Sequence, residues 1–414
     1  MSRDNISEAA LKVLYRLKKG GYQAYLVGGS VRDLLLKKNP KDFDVATDAT
    51  PEEVNALFRN SRVIGRRFRL VHVRFGREII EVATFRSSAD PANDDHDHEV
   101  SEGTGRILRD NVYGTLEDDV WRRDFTANAL YYNIADYSIR DCVGGVADIE
   151  DHTLKMIGDP EQRYREDPVR MLRAARFAAK LEFDIHPDTA APLPDLAPLL
   201  DDVPAPRLFD EYCKIFQSGH ALDGFRHLRE YGLFEHLFPV TEQWLREGDE
   251  RRLNFVEAAL KSTDDRVAQD KPVTPMFLYG VFLWGPVQEF AHANMERQNW
   301  TELQAIIAGA AELTLKQNQI VFMPKRFSYP MREMLQLQPR FKRRKGKRAL
   351  NMLSHPRFRA AYDLMLLRQQ LGEVDEEEAK WWTDAQKNPA QARKSSQQPK
   401  SGRRRRKPRR PAGE

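Results

Sequence analysis

The chain has 414 residues, 41% hydrophobic and 31% charged, a balance that belongs to soluble globular proteins rather than fibrous or membrane ones. Its length admits two or three domains, and with no run of eighteen apolar residues no membrane span is expected. The net charge of +4 hides an asymmetry: residues 387–414 hold eleven Lys or Arg and one acid, which leaves residues 1–386 with 55 basic and 61 acidic residues, or −6.

Residues 1–21 lack the apolar core of a secretory signal. Ile6, Ala9, Ala10, Val13, Leu14 and Leu17 instead follow helical spacing, with Ser7 as cap and Gly20-Gly21 as stop. AYLV (24–27) reads as a buried strand entering GGS, VRDLLL (31–36) as a short helix and FDVAT (43–47) as a strand. LVHVRF (70–75) and EIIEVATF (78–85) read as two strands around a Gly-containing turn, and ANALYYNI and SIRDCVGG complete this mixed region. Beyond Tyr164 the pattern turns helical, in segments 168–183, 206–219 and 223–234, and no further strand is expected. Helical patterning runs to about Gly372, followed by an acidic stretch (373–378) and a basic low-complexity end, RRRRKPRRP (403–411). The expected architecture is α+β: a mixed-sheet head (1–155), an all-α neck (156–235) and body (236–372), and a disordered tail (373–414).

Asp42 and Asp44 are two apart, so a strand places both carboxylates on one face with Phe43 and Val45 on the other. Glu81 lies among Ile79, Ile80 and Val82 in a second strand. If the two strands pair, three acids converge on an oxygen cage suited to Mg²⁺, with substrate phosphates completing the shell. Two such ions about 3.5–4 Å apart clamp the attacking and leaving oxygens of a displacement at phosphorus. The turn Gly28, Gly29 and Ser30 lets backbone approach a ligand, the following helix start offers N–H groups to phosphate, and Arg32 adds a bidentate donor fork. Cage and cradle together describe a nucleoside-triphosphate site, although Gly-Gly or DxD alone is more often structural.

GGSVRD followed by KDFDVATDATPEEV resembles the head of the polymerase-β-type nucleotidyltransferases, which include bacterial poly(A) polymerases and tRNA CCA-adding enzymes. The resemblance continues through RRDFTANALYY (122–132), DCVGGVADIED (141–151) and REDPVRMLRAARFAAKL (165–181). GRRFRLVHV (65–73), RDNVYGTLEDD and the Arg-rich tail are similar to the poly(A) polymerase branch. The resemblance implies that Asp42 and Asp44 are metal-binding catalytic acids and that Asp124 belongs with the active site. It further implies that Arg123 contacts nucleotide, that Gly29 and Arg32 meet phosphate, and that Asp167, Arg170 and Arg173 read the base edge. Those last three share a face if the helix is already underway at Asp167. Glu81, by strand spacing, and Asp124, by motif, compete for the role of third carboxylate.

DDHDHE (94–99) sits in polar sequence without periodicity and reads as a surface loop rather than a metal site. No HExxH or paired HD pattern appears, which disfavours a phosphohydrolase-bearing CCA-adding enzyme. KRRKGKR (342–348), with Arg343, Arg344, Lys345, Lys347 and Arg348, reads as an RNA grip or as a solvated helix face. The tail arginines Arg403, Arg404, Arg405 and Arg406 read as a polyanion-binding arm. The expected function is ATP-dependent, template-independent polyadenylation of RNA 3′ ends that promotes RNA turnover, with two Mg²⁺ ions, or Mn²⁺ in their place. The rivals are a CCA-adding nucleotidyltransferase and a non-catalytic RNA-binding adaptor; loss of an acid would mark the latter, and none is missing. Expected partners are ATP and the 3′ ends of mRNA, decay intermediates and small RNAs, with the chain a monomer; the resemblance further implies association with RNA-decay proteins. Two cysteines, Cys142 and Cys213, outside any CxxC spacing argue for the cytoplasm.

Overall fold

Short runs of alternating and β-branched residues assemble the sheet that carries the first half of the molecule. A computed structural model describes residues 3–65, 69–87, 98–100, 107–110, 112–344 and 347–387. The chain separates into two units, Met1–Leu237 and Phe238–Glu414.

In the first unit the strands are β1 (Ala24–Val27), β2 (Asp44–Thr47), β3 (Ser61–Ile64), β4 (Leu70–Phe75), β5 (Glu78–Thr84), β6 (His98–Val100), β7 (Ile107–Asp110), β8 (Leu130–Asn133) and β9 (Ile139–Asp141). Seven of them form one sheet in the order β3-β4-β5-β2-β1-β8-β9, while β6 and β7 form a separate antiparallel ribbon. The large sheet is mixed because β2 and β5 run parallel and every other neighbouring pair is antiparallel. Helix α1 (Glu8–Lys19) starts where Ser7 Oγ accepts from the Ala10 amide at 3.1 Å and buries Ala9, Ala10, Val13, Leu14 and Leu17. It packs on β1, β2 and β5. The short helices α2 (Gly29–Leu35) and α3 (Pro51–Leu57) follow β1 and β2, and α3 opens with a Thr50–Glu53 capping box. Helix α4 (Leu116–Trp121) contributes Leu116 and Val120 to a core with Val27, Ala46, Phe85 and Tyr131.

After α5 (Gly145–Glu150), helices α6 (Pro160–Glu166) and α7 (Val169–Leu181) begin the helical part, and α7 packs against helices Ala205–Phe216 and Ala221–Glu230. Asp184–Ile185 pairs in parallel with Thr153–Leu154, so a strand does occur beyond Tyr164. Two residues are too few to show a period of two in the sequence.

The second unit is helical throughout its described residues. Its helix Pro275–Gln298 needs Gly285, because a Cβ there would lie 2.1 Å from the Trp244 ring. The segment from residue 373, expected to be disordered, is ordered as far as Lys387. Glu376–Lys387 is a helix whose Trp382 is fully buried, donates to the Phe341 carbonyl at 3.0 Å and meets the Phe341 ring edge-on at 5.1 Å. The acidic composition around it conceals this anchor. The basic end, residues 388–414, lies outside the described residues, as do residues 94–97 of the DDHDHE run.

Candidate active site

The site starts at the end of β1. Gly28 adopts φ +73° and ψ −132°, so its conformation calls for glycine, and a Cβ there would stand in ordinary contact, 3.4 Å from Arg123 Nη1. The Gly28 amide donates to the Leu130 carbonyl, and the buried Ser30 hydroxyl donates to the Val27 carbonyl at 3.1 Å. Ser30 therefore turns inward, and what the Gly28–Gly29 turn offers outward is the N–H groups of the first turn of α2, which have no acceptor within the helix.

Arg32 departs from the expectation. It is 2% exposed, with Nε and Nη2 donating to Asp33 at 2.9 and 2.6 Å and Nη1 donating to Asn128 Oδ1 at 2.5 Å. Its guanidinium also lies over the Phe177 ring, 5.7 Å from the centroid. The donor fork expected for phosphate is thus committed inside the protein, tying α2 to the segment before β8.

Two of the three acids meet in the sheet. In the parallel pair, Asp44 and Glu81 are direct Cα partners, and β4 places His72 opposite Glu81 with Nε2 3.1 Å from Oε1. Strand β2 begins only at Asp44, so Asp42 precedes the ladder rather than sitting in it. The alternation nevertheless persists there: Phe43 and Val45 are buried, whereas Asp42 is exposed and Asp44 half-buried. Burial, then the Glu81 charge, with Asp42 adding to it, pushes the Asp44 carboxyl up to about 6 against the pull of Arg123. Among the described residues no three His, Cys, Asp or Glu are grouped tightly enough to hold a metal by themselves. An incomplete carboxylate set whose own charges repel fits a divalent ion that takes one or two protein oxygens and draws the rest from substrate.

Arg123 is held beside these acids. Its Nε donates to Tyr131 Oη at 2.7 Å and its Nη2 to Asp119 Oδ2 at 3.1 Å, and Tyr131 Oη donates to the same carboxylate oxygen at 2.6 Å. Burial opposes the Arg123 charge, but Tyr131 and Asp119 outweigh it and hold the pKa above its ordinary value. Arg163 of α6 fixes the backbone of the same motif by donating to the Arg122 and Arg123 carbonyls at 2.9 and 2.8 Å. Sequence reasoning singled out none of Asp119, Tyr131, Asn128, His72 or Arg163. The partnership of Glu81 with His72 follows from the β4–β5 hairpin register, the one signal among these that the sequence carries.

Asp124 occupies a different setting. Its Oδ1 accepts from Arg170 Nε at 3.0 Å and its Oδ2 lies 2.5 Å from Arg173 Nε. Burial pushes the Asp124 carboxyl up, but Arg173 and Arg170 override that and hold it below the usual carboxylate range. Arg170 is itself buried and donates through Nη1 to Glu166 Oε2 and the Arg163 carbonyl, at 2.9 and 2.8 Å. Arg173 remains one-third exposed. The condition placed on Asp167 is not met, because α7 starts at Val169 and Asp167 is the extended cap of α6. Asp167 is oriented from elsewhere, accepting from Arg207 Nη2 at 2.6 Å.

In the second unit, Arg343 lines a cavity of 670 Å³ with Arg340, Thr301 and His355, while Arg344 stands 3.6 Å from Glu377 and Lys342 pairs with Glu302 at 2.7 Å. Lys345, the side chains of Lys347 and Arg348, and Arg403 to Arg406 lie outside the described residues.

A mixed sheet carrying paired acids behind a glycine turn, followed by a helical neck, defines a nucleotidyltransferase of the polymerase-β type. Solved structures bear out that fold. A tRNA nucleotidyltransferase complexed with a primer tRNA and an incoming ATP analog superposes with TM-score 0.63 at 22% identity, over 91% of this chain and 99% of its own. The Thermotoga maritima CCA-adding enzyme complexed with tRNA gives 0.60 at 18%, over 93% and 82%. The poly A polymerase head domain family matches residues 24–155, the family described as the probable RNA and SrmB-binding site of polymerase A matches 182–245, and the polymerase A arginine-rich C-terminus matches 298–413. Poly(A) polymerase I of Salmonella typhi is 48% identical over 93% of this chain and 84% of its own length, and that of Haemophilus influenzae is 42% identical over 93% and 86%. The CCA-adding enzyme of Lactobacillus helveticus is 37% identical, but over 52% of each chain. The chain belongs to the poly(A) polymerase I family.

Proposed function

We propose that this chain transfers adenylate from ATP to the 3′ ends of RNA without a template, releasing pyrophosphate and marking RNA for turnover. The observation that carries the reading is the Asp44–Glu81 register, with Asp42 beside it, which leaves a cluster of negative charge near Arg123 and next to Val27, where β1 enters the Gly28–Gly29 turn. Asp42 and Asp44, with Glu81 as third carboxylate, would hold two Mg²⁺ ions, Mn²⁺ being the alternative. Bound there, such ions favour the deprotonated 3′-hydroxyl and offset charge on the triphosphate. The chain's own residues then bind and orient. The open amides after Gly28 and the fixed guanidinium of Arg123 receive triphosphate oxygens. Asp167 presents an acceptor and Arg173 donors to the base edge, and Asp124 and Arg170 hold the wall from which Arg173 projects. Arg32 acts on the phosphate side by fixing α2 rather than by touching substrate.

The relatives' names support RNA as acceptor, and both cysteines are free, which suits the cytoplasm. The tail is proposed as a second hold on RNA. Truncation after Lys387 removes ten basic residues and one acid. With half to all of that net charge engaged, it should flatten the slope of log affinity against log salt by about 3 to 6.

The deciding experiment incubates purified protein with a generic RNA and each nucleoside triphosphate in turn, then sizes the product. Long ladders with ATP alone are expected. Short additions that require CTP and a tRNA-like end would instead identify a CCA-adding enzyme.

A further inference from the structure

The outer face of helix Lys325–Leu337 in the second unit has a composition that packing does not explain. The helix buries Ser328, Met331, Met334, Leu335 and Leu337, which satisfies its inward side. Outward it exposes half of Tyr329, and Phe322, just ahead of the helix, is 42% exposed. Singly exposed rings are ordinary on a protein surface, so what sets this face apart is the cations around them. Arg332 lies over the Tyr329 ring at 5.0 Å and Arg326 over Phe327 at 4.8 Å, within cation–π range of the aromatic faces. Among the described residues no carboxylate pairs with Lys325, Arg326 or Arg332, whereas Glu333, the acid on this face, is already balanced by Arg357 at 3.3 Å.

Residues three and four apart adjoin on a helix surface, so Lys325, Arg326 and Arg332 surround Tyr329. Unpaired cations around an exposed ring complement one ligand chemistry above others: a flexible polyanion that carries flat faces, its phosphates meeting the arginines and its bases meeting the rings. A duplex hides its base faces and a folded acidic protein has few to offer. At 1.5 Å per residue the thirteen-residue helix gives a track of about 20 Å. It leads toward Arg340 and Arg343, which line the cavity noted above.

We infer that this face is a stacking platform for single-stranded RNA, centred on Tyr329 and flanked by Lys325, Arg326 and Arg332. The inference rests on the RNA-lengthening function proposed above and adds a place where the body of the substrate is held by base stacking without sequence choice.

The test compares full-length parent with Tyr329→Ala, Tyr329→Phe and the double variant Arg326→Gln/Arg332→Gln. Anisotropy is read with a labelled single-stranded RNA and with the same strand annealed to its complement, across a salt series. Loss of one stacked base should weaken single-strand binding by Tyr329→Ala about 5- to 150-fold, with duplex binding unchanged. Tyr329→Phe keeps the ring and should bind like the parent. The double variant should flatten the single-strand salt slope by about 1.4. For all variants KM for RNA should follow the affinity, while kcat at saturating RNA and KM for ATP stay at parent values. Parent-like single-strand affinity in Tyr329→Ala overturns the platform and hands these rings to a protein partner. If Tyr329→Ala melts early, the double variant, which keeps the Tyr329 ring in place, decides, and an unflattened slope overturns the platform. A parent that adds no nucleotide to RNA while Tyr329→Ala still loses single-strand affinity upholds the platform and overturns the proposed reaction.

Discussion

Two sets of charged residues in the first unit have opposite electrostatic economies. On β2 and β5, Asp44 faces Glu81 with Asp42 nearby, and burial together with those charges drives Asp44 up to about 6 against the pull of Arg123. Between the head motif and α7, Asp124 meets Arg170 and Arg173, Arg170 meets Glu166, and Arg163 holds the Arg122 and Arg123 carbonyls. The second set opposes acid to base, even though Arg163 Nε and Arg173 Nε are buried without a hydrogen-bond partner, and the first gathers like charge. Folding alone does not maintain a cluster of like charges, because each added carboxylate raises the cost of ionising the others. A network of opposite charges does serve folding. Uncompensated charge thus marks where a ligand is expected, and compensated charge marks what holds the site in place.

Removing charge from each set should therefore fail in different ways. Asp44→Asn is expected to lower turnover on the order of a thousandfold or more, since the acid acts on charge that develops during reaction. RNA affinity should be unchanged, and the metal-free protein should melt no lower than the parent, because a repulsion has been relieved. Near-normal polyadenylation, or a marked fall in Tm, would place Asp44 among the structural acids.

Asp124→Ala should do the reverse. Leaving Arg170 buried with one carboxylate fewer is expected to destabilise the fold by about 3 kcal/mol, the lower end for a broken buried pair because Glu166 remains. Urea unfolding would measure it. The double variant Asp124→Ala/Arg170→Ala should cost less than the sum of the single changes, as expected for partners in one network. Full stability with abolished turnover would make Asp124 a third catalytic carboxylate after all and erase the contrast.

How far the sequence foretold this contrast depended on the range of the signal. Period-two alternation placed Asp42 and Asp44 opposite Phe43 and Val45, and the adjacent Gly76 turn made the β4–β5 hairpin plain. The convergence of Glu81 required a parallel pairing between strands more than thirty residues apart, which the sequence posed only as a condition. Arg32 looked like a phosphate donor because motif spacing does not reveal that Asn128, 96 residues away, accepts its Nη1. Asp167, Arg170 and Arg173 look equivalent at a spacing of three. The Pro168 cap splits them between two helices, leaving one held from outside, one buried and one partly open. Trp382 was hidden by the acids around it, whose composition resembles a tail while one fully buried indole anchors a helix.

The finest test lies between the two sets, at Asp167. Among the described residues this carboxylate's ion pair is with Arg207 of helix Ala205–Phe216, at 2.6 Å, and its charge also supports Arg170 at the margin of the second set. Both side chains are partly open, at 24% and 38%, so solvent screens the pair and its removal should barely move Tm. Its effect should appear instead in the choice of base, because an acceptor that wanders no longer distinguishes one base edge from another. Arg207→Ala is expected to lower the preference for ATP over CTP by about three- to tenfold, from the loss of one partly screened charged hydrogen bond. The change should fall mainly in KM for ATP, with kcat at saturating ATP close to the parent, because the acids on β2 and β5 are untouched. Separate KM and kcat determinations for the two nucleotides would read this out, with a thermal melt as control. An unaltered ATP-to-CTP ratio at unchanged Tm would show that Asp167 needs no orienting partner, and base choice would then rest on Arg173 and the network behind it.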